Sequence, residues 1–307
     1  MEVILAKPRG FCAGVNRAIE TVKLTIERHK PPVYVLHEIV HNRHVIEGLR
    51  NRGATFVESL SEIPEGSLTV FSAHGVADKV VEEAVSRNLK VIDATCPLVT
   101  KVHYEARKYS EQGLDVIIIG HPGHPEVEGT LGRVPGPVRV LSTASEVYDL
   151  EVKEPGRMAF VTQTTLSMDD CSDVTAALKE RFPGIKGAEL RDICYATQNR
   201  QNAVRRLSRE IDLLLVVGSR NSSNSNRLRE VGSHHGIPSY LVDDASDVKP
   251  EWLNGIRKIG LTAGASAPEE VLQGVLGRLR EYSDIAVREM EGQEESVRFR
   301  LPASMYI

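Results

Sequence analysis

The sequence predicts an α/β protein made of three similar repeats with mostly parallel sheets, and three observations predict it. Short apolar segments alternate with amphipathic segments of helical spacing, which implies parallel sheets covered on both faces. Three of the strand-like segments end in a cysteine and lead into a helix-like run: EVILAKPRGFCAGVNRAIETV, LKVIDATCPLVTKVHYEA and AELRDICYATQNRQNAVRRL. Counted from Cys12, Cys96 and Cys194, the elements that follow recur at matching distances, the mark of an internal repeat.

The first repeat, residues 1–95, opens with the strand and helix around Cys12; VYVLHEIVHN follows, a second strand whose polar loop carries His41. A third strand ends in the SEI turn at Ser61, and LTVFSAHGVADKVVEEA supplies a last strand, a polar loop with His74 and a helix. In the second repeat, residues 96–190, VIIIGHPGHPEVEG puts His124 as far beyond Cys96 as His41 lies beyond Cys12, to within one position. The SEV turn there holds Ser145, and MAFVTQTTLSMDDCSDVTAAL closes the unit. In the third, residues 191–282, LLLVVGSRNSSNSN gives Ser222 the same offset from Cys194 that His124 has from Cys96. Here the SDV turn holds Ser246, and KIGLTAGASAPEEVLQGV completes the pattern. Residues 283–307, with the acidic stretch EMEGQEESVRFRLPASMYI, fit no repeat and have no functional reading.

In parallel sheets, ligands bind beyond the carboxyl ends of the strands. Every repeat cysteine and polar loop is expected at that end. Three repeats with their strand ends facing a common axis would bring Cys12, Cys96 and Cys194 together. Cys171 lies inside a helix-like run with no counterpart in the other repeats and is read as a packing or surface residue.

Composition narrows the function. A net charge of −4 with interspersed signs leaves no basic stripe, so neither nucleic acid nor an anionic membrane surface is an expected partner. No run approaches the roughly 18 apolar residues of a membrane span, and the N-terminus lacks the apolar region of a secretory signal. The expected compartment is the cytoplasm, where a reducing pool disfavours disulfides and the cysteines need another account.

Three converging thiolates point to a metal. Zinc with three cysteines normally adds a histidine, and structural zinc sites usually show close C-x-x-C pairs, which are missing here. An iron–sulfur cluster usually takes four cysteines, so three would leave one iron open. Zinc hydrolase, iron–sulfur enzyme and a non-enzymatic redox sensor that binds a phosphorylated metabolite all stay open at this point. The polar loops are rich in His, Ser, Thr and Asn and open helices, so side chains and N–H groups there can receive a phosphate or diphosphate. Serine and asparagine at a helix start otherwise serve as N-caps. His29, His37, His44, His103, His121, His234 and His235 are read as structural or surface residues; His41, His74 and His124 are singled out by their place at strand ends. Glu126 is the carboxylic acid best placed to donate a proton, although a helix-start glutamate is ordinarily solvated. GSRNSSNSN lacks the glycine spacing of a dinucleotide loop, so electrons would come from a separate carrier.

Together, PRGFCAGVNRAI, HEIVHN, FSAHGV, DATCPLVTKVH, GHPEVEGT, VTQTTLS, DICYATQNRQ, GSRNSSNSNRL and TAGASAPE resemble the LytB/IspH family of 4-hydroxy-3-methylbut-2-enyl diphosphate reductases over roughly residues 1–280. The resemblance implies three α/β domains in a trefoil around a central cluster and substrate cavity. It implies one 4Fe–4S cluster on Cys12, Cys96 and Cys194, with one open iron. Substrate contacts fall on His41, His74, His124, Thr164, Thr165, Ser222, Ser223, Asn224 and Ser266, and Glu126 becomes the proton donor acting with Thr164 and His124. The implied reaction reduces (E)-4-hydroxy-3-methylbut-2-enyl diphosphate to isopentenyl and dimethylallyl diphosphate, the last step of the non-mevalonate pathway. A ferredoxin- or flavodoxin-type protein would supply the electrons.

Overall fold

The computed structural model describes residues 1–187 and 191–306. Leu213–Val217 is a run of five apolar residues with no polar face to turn to water, and all five are buried as β10 in the interior of a sheet. With β11 (Ser239–Val242), β12 (Lys258–Ala263), β1 (Glu2–Leu5) and β13 (Ala286–Glu289), it forms a sheet of order β11-β10-β12-β1-β13. A second sheet has the order β3-β2-β4-β5, from β2 (Val33–Leu36), β3 (Ala54–Val57), β4 (Leu68–Phe71) and β5 (Lys90–Asp93). A third has the order β7-β6-β8-β9, from β6 (Asp115–Ile119), β7 (Val138–Leu141), β8 (Met158–Thr162) and β9 (Lys186–Gly187). Every pairing is parallel, as the alternation of elements predicts. Of the strand read before Cys194, residues 188–190 lie outside the described residues.

The three sheets share one strand plan: third, second and fourth strand of a repeat, then the first strand of the next. Thus β5 pairs with β4 (Leu68↔Lys90), β9 with β8 (Ala159↔Lys186), and the N-terminal β1 closes the last sheet against β12 (Glu2↔Lys258). Strands joined by one helix crossover become neighbours, so the sheets run one strand out of step with the sequence repeats.

The helices fall where the repeat places them. α1 (Ala13–His29), α4 (Pro97–Glu111) and α8 (Tyr195–Leu207) begin directly after the three repeat cysteines. α2 (Arg43–Arg50), α5 (Pro125–Leu131) and α9 (Ser223–His234) follow the second strands. The third strands lead into a 3-10 turn at Leu60–Glu62, α6 (Ala144–Tyr148) and a 3-10 turn at Ala245–Asp247. The side chains of Ser59, Thr143 and Asp244 cap these three by accepting backbone N–H bonds from Ser61, Glu146 and Ser246. α3 (Asp78–Ser86), α7 (Met168–Arg181) and α10 (Glu269–Tyr282) follow the fourth strands. In α10, Leu272, Val275, Leu276 and Leu279 recur at helical spacing and are all buried.

Contacts divide the chain into two units. The first comprises Met1–Asn16, Val40–Gly48 and Tyr195–Arg298 and contains the five-stranded sheet. Its strands bury both faces: Val3 and Leu5 join one apolar cluster, Ile4 and Ala6 another. The second unit comprises Arg17–Ile39, Leu49–Cys194 and the C-terminal residues from Phe299, and it contains both four-stranded sheets. There Ile117 and Ile119 face one cluster, Val116 and Ile118 the other. The tail that fits no repeat is structural. β13 extends the first unit's sheet, and Met290 N–H donates to Leu5 O at 2.9 Å. In the second unit Arg17 Nε donates to Arg300 O at 2.7 Å, and Met305 is buried. Among the described residues no helix is long and apolar enough to cross a membrane.

Candidate functional site

Each repeat cysteine is held by the same backbone bond. Cys12 N–H donates to Ala265 O at 3.3 Å, Cys96 N–H to Ala73 O at 3.0 Å and Cys194 N–H to Thr164 O at 3.0 Å. The three acceptors lie in the loops that follow β12, β4 and β8. One bond geometry therefore sets all three cysteines at strand ends, half-buried and at a helix start. Val15 N–H, in the first turn of α1, lies 3.5 Å from Cys12 Sγ. None of the four cysteines forms a disulfide. Cys171 differs in kind: it lies on the buried face of α7 within the core, and burial pushes its thiol up to about 11, so it stays protonated.

In the first unit, Gly10 adopts φ +67°, a turn that favours glycine, and donates its N–H to Ala263 O at 3.1 Å. Ser222 caps α9, its Oγ accepting Ser225 N–H at 3.4 Å and Ser225 Oγ–H at 3.0 Å. Ser225 fits because Gly264 has no side chain; a Cβ there would stand 2.0 Å from Ser225 Oγ. Asn224 is buried, and neither its amide nitrogen nor its amide oxygen has a hydrogen-bond partner among the described residues. Leaving such a group unpaired costs about 1–3 kcal/mol. Ser266 Oγ–H donates to His41 O at 2.9 Å and ties the loop after β12 to the segment Val40–Gly48. Ser223, next to Asn224, is half-buried. Asn42 was not singled out from the sequence: its Oδ1 accepts Val45 N–H at 3.1 Å, as a cap would, while its buried Nδ2 has no partner among the described residues. An asparagine ahead of a helix reads as a cap, and only burial reveals the unpaired amide.

The second unit holds His74, His124 and Glu126. The His74 and His124 rings meet edge to face, 5.9 Å between centres at 87°. His124 caps α5 through Nδ1, which accepts Glu126 N–H at 3.2 Å. In the neutral ring this puts the proton on Nε2, which is then a donor. Glu126 is 3% exposed, not solvated as a helix-start glutamate ordinarily is. Its Oε1 accepts Thr164 N–H at 2.6 Å and its Oε2 accepts Thr164 Oγ–H at 2.9 Å. Burial raises its pKa to about 7, against these two bonds, which favour the carboxylate. The pair can hold a proton near neutrality and pass it through a hydroxyl. Gln163, also missed from sequence, is buried beside them; it accepts His121 N–H at 3.0 Å and donates to Thr165 Oγ1 at 2.9 Å.

Among the described residues no three His, Cys, Asp or Glu side chains are already grouped to hold a metal ion. The fit to a metal cofactor rests on the donor set: three half-buried thiols, each held at a helix start by the same backbone bond, and a fourth that is buried in the core.

The LytB protein family matches residues 3–280. The 4-hydroxy-3-methylbut-2-enyl diphosphate reductase 2 of Bradyrhizobium diazoefficiens is 56% identical over 305 residues, covering 99% of both chains. The solved structure of the E-1-hydroxy-2-methyl-but-2-enyl-4-diphosphate reductase from Plasmodium falciparum aligns with a TM-score of 0.95 and 37% identity, covering 99% of this chain and 96% of that one. A second solved structure, described as (E)-4-hydroxy-3-methyl-but-2-enyl diphosphate reductase, the terminal enzyme of the non-mevalonate pathway, aligns with a TM-score of 0.65 and 32% identity, covering 92% of this chain and all of that one. A match that spans the three repeats, with relatives this similar from end to end, establishes that the chain belongs to the LytB protein family.

Proposed function

We infer that the protein reduces (E)-4-hydroxy-3-methylbut-2-enyl diphosphate, the terminal reaction of the non-mevalonate pathway. The substrate takes up two electrons and two protons, its C–O bond breaks, and water leaves with isopentenyl or dimethylallyl diphosphate as the other product. The observation that carries this reading is the buried Glu126–Thr164 pair, a carboxyl tuned to about 7 with a hydroxyl on it, in a chain 56% identical to a named reductase.

Cys12, Cys96 and Cys194 are assigned as ligands of one 4Fe–4S cluster with an open iron; when bound, it supplies single electrons and a Lewis acid for the substrate oxygen. A separate one-electron carrier of ferredoxin or flavodoxin type is the proposed donor, and the cytoplasm the proposed compartment. His41, His74, His124, Thr165, Ser222, Ser223, Asn224 and Ser266 are assigned to the substrate. Hydroxyl, amide and ring N–H donors of this kind hold a diphosphate by hydrogen bonds that its charge strengthens. Glu126 holds the proton. Thr164 hands its hydroxyl proton to the leaving oxygen as it takes the proton of Glu126, so the carboxyl acts through 2.9 Å without leaving its buried place.

The test is anaerobic turnover of the hydroxylated diphosphate with a strong one-electron donor. Formation of the two C5 diphosphates is expected. Tight binding without product, in a chain that carries its full iron, would support a sensor instead.

A further inference from the structure

We infer that the buried Arg200 and the half-buried Glu295 form a positioning pair through which the C-terminal tail fixes the loop that carries Cys12; the inference rests on the assignment of Cys12 as a ligand. Arg200 projects from α8 and is completely buried. Its Nε and Nη2 donate to Gly10 O at 3.2 and 2.7 Å, and its Nη1 donates to Ala196 O at 2.9 Å. The carboxylate of Glu295 faces the other side of the guanidinium: Oε1 accepts from Nη1 at 3.0 Å, and Oε2 from Nη1 and Nη2 at 3.2 and 3.1 Å. Asn199 Nδ2 adds a further bond to Glu295 Oε1 at 3.0 Å.

A guanidinium so fully removed from water requires a counter-charge, and an arginine left unpaired moves toward solvent. Glu295 supplies that charge from the tail, which β13 anchors beside β1. Held in place, Arg200 spends two of its donors on one carbonyl, that of the positive-φ turn at Gly10. Gly10 is gripped on its other side by Ala263 O, and two residues later Cys12 N–H reaches Ala265 O. Arg200 does not touch the sulfur; it sets the backbone from which the sulfur projects. A tail outside the threefold pattern thus acts on one of the three cysteines.

Two variants of the full-length chain test the pair. In Glu295→Gln, amide hydrogen exchange at Cys12 and Asn16 is expected to speed up about tenfold as the charge that holds Arg200 is removed, while α10 exchanges at the parent rate. Iron release from the anaerobic holoprotein to a chelator is expected to accelerate to a similar degree. The double variant Arg200→Met/Glu295→Met carries no unpaired charge, so its thermal midpoint stays near that of the parent. Its Gly10 carbonyl still lacks a donor, so fast exchange at Cys12 and fast iron release persist. Exchange at Cys12 and Asn16 that stays at the parent rate in both variants, or rises no more than in α10, would overturn the inference. Cys12→Ser separates the two assignments: full iron in that variant refutes Cys12 as a ligand, while the exchange result still judges the pair.

Discussion

The loops after β6 and β10 hold the same place in the second and third repeats and differ in chemistry. His124 and Ser222 stand at the same offset from Cys96 and Cys194, and each caps the helix that follows, accepting the N–H of Glu126 at 3.2 Å and of Ser225 at 3.4 Å. Two residues further on, both loops bury a polar side chain, Glu126 in one and Asn224 in the other. Glu126 finds two donors on Thr164, whereas Asn224 finds no partner among the described residues. The cause lies in the neighbouring loop. Thr164 O holds Cys194 N–H and Ala265 O holds Cys12 N–H, so alanine stands where the second repeat has its hydroxyl. The repeat dictates where side chains sit, and single substitutions decide whether a buried polar group is paired, as Glu126 is, or lacks a partner among the described residues, as Asn224 does.

Four predictions probe that contrast. The largest effect belongs to Glu126→Gln, which keeps the shape and removes the proton: kcat should fall by roughly 10²- to 10⁴-fold with KM near the parent value, read by anaerobic steady-state kinetics. If only KM rose, the loop after β6 would be a binding loop like its counterpart. Asn224→Ala should do the reverse, raising KM about tenfold or more with a smaller change in kcat. In the ligand-free chain it should leave the thermal midpoint unchanged or higher, because an unpaired buried amide is removed.

Acidity sharpens the comparison next. With its pKa raised from 4.5 to about 7, Glu126 keeps a proton in the folded chain that the unfolded chain has released. Its contribution to stability is therefore full below pH 4.5 and is lost as pH rises through 7. Denaturant titrations across that window should show the decline in the parent and in Asn224→Ala, and lose the Glu126 share of it in Glu126→Gln. The rate should likewise fall above pH 7 as the acid deprotonates. The smallest effect is expected for Cys171→Ala, a loss of about 1 kcal/mol of stability from the core with unchanged turnover.

The spacing from each cysteine made the strands, their loops and even the capped turns after the third strands readable in the sequence, because these follow from local apolar runs and polar breaks. Long-range pairing was not readable. β1 joins the sheet of the third repeat, and β13 is an exposed strand with no apolar run, held by backbone bonds to β1. Position also marked Glu126, but its burial depends on Thr164, far along the chain in the loop after β8. Arg200 looked like one of several basic residues in NRQNAVRR, since nothing local distinguishes a fully buried arginine from its solvated neighbours. Asn42 and Gln163 were hidden for the same reason.

Equivalent positions in the three repeats, and no fourth cysteine, are proposed to carry the cofactor. Iron and sulfide quantitation with an EPR spectrum, on anaerobically purified parent, Cys194→Ser and Cys171→Ser, tests this assignment most directly. Roughly four iron and four sulfide per chain are expected in the parent and in Cys171→Ser, and loss of the intact cluster in Cys194→Ser. A full complement in Cys194→Ser, or its loss in Cys171→Ser, would contradict it.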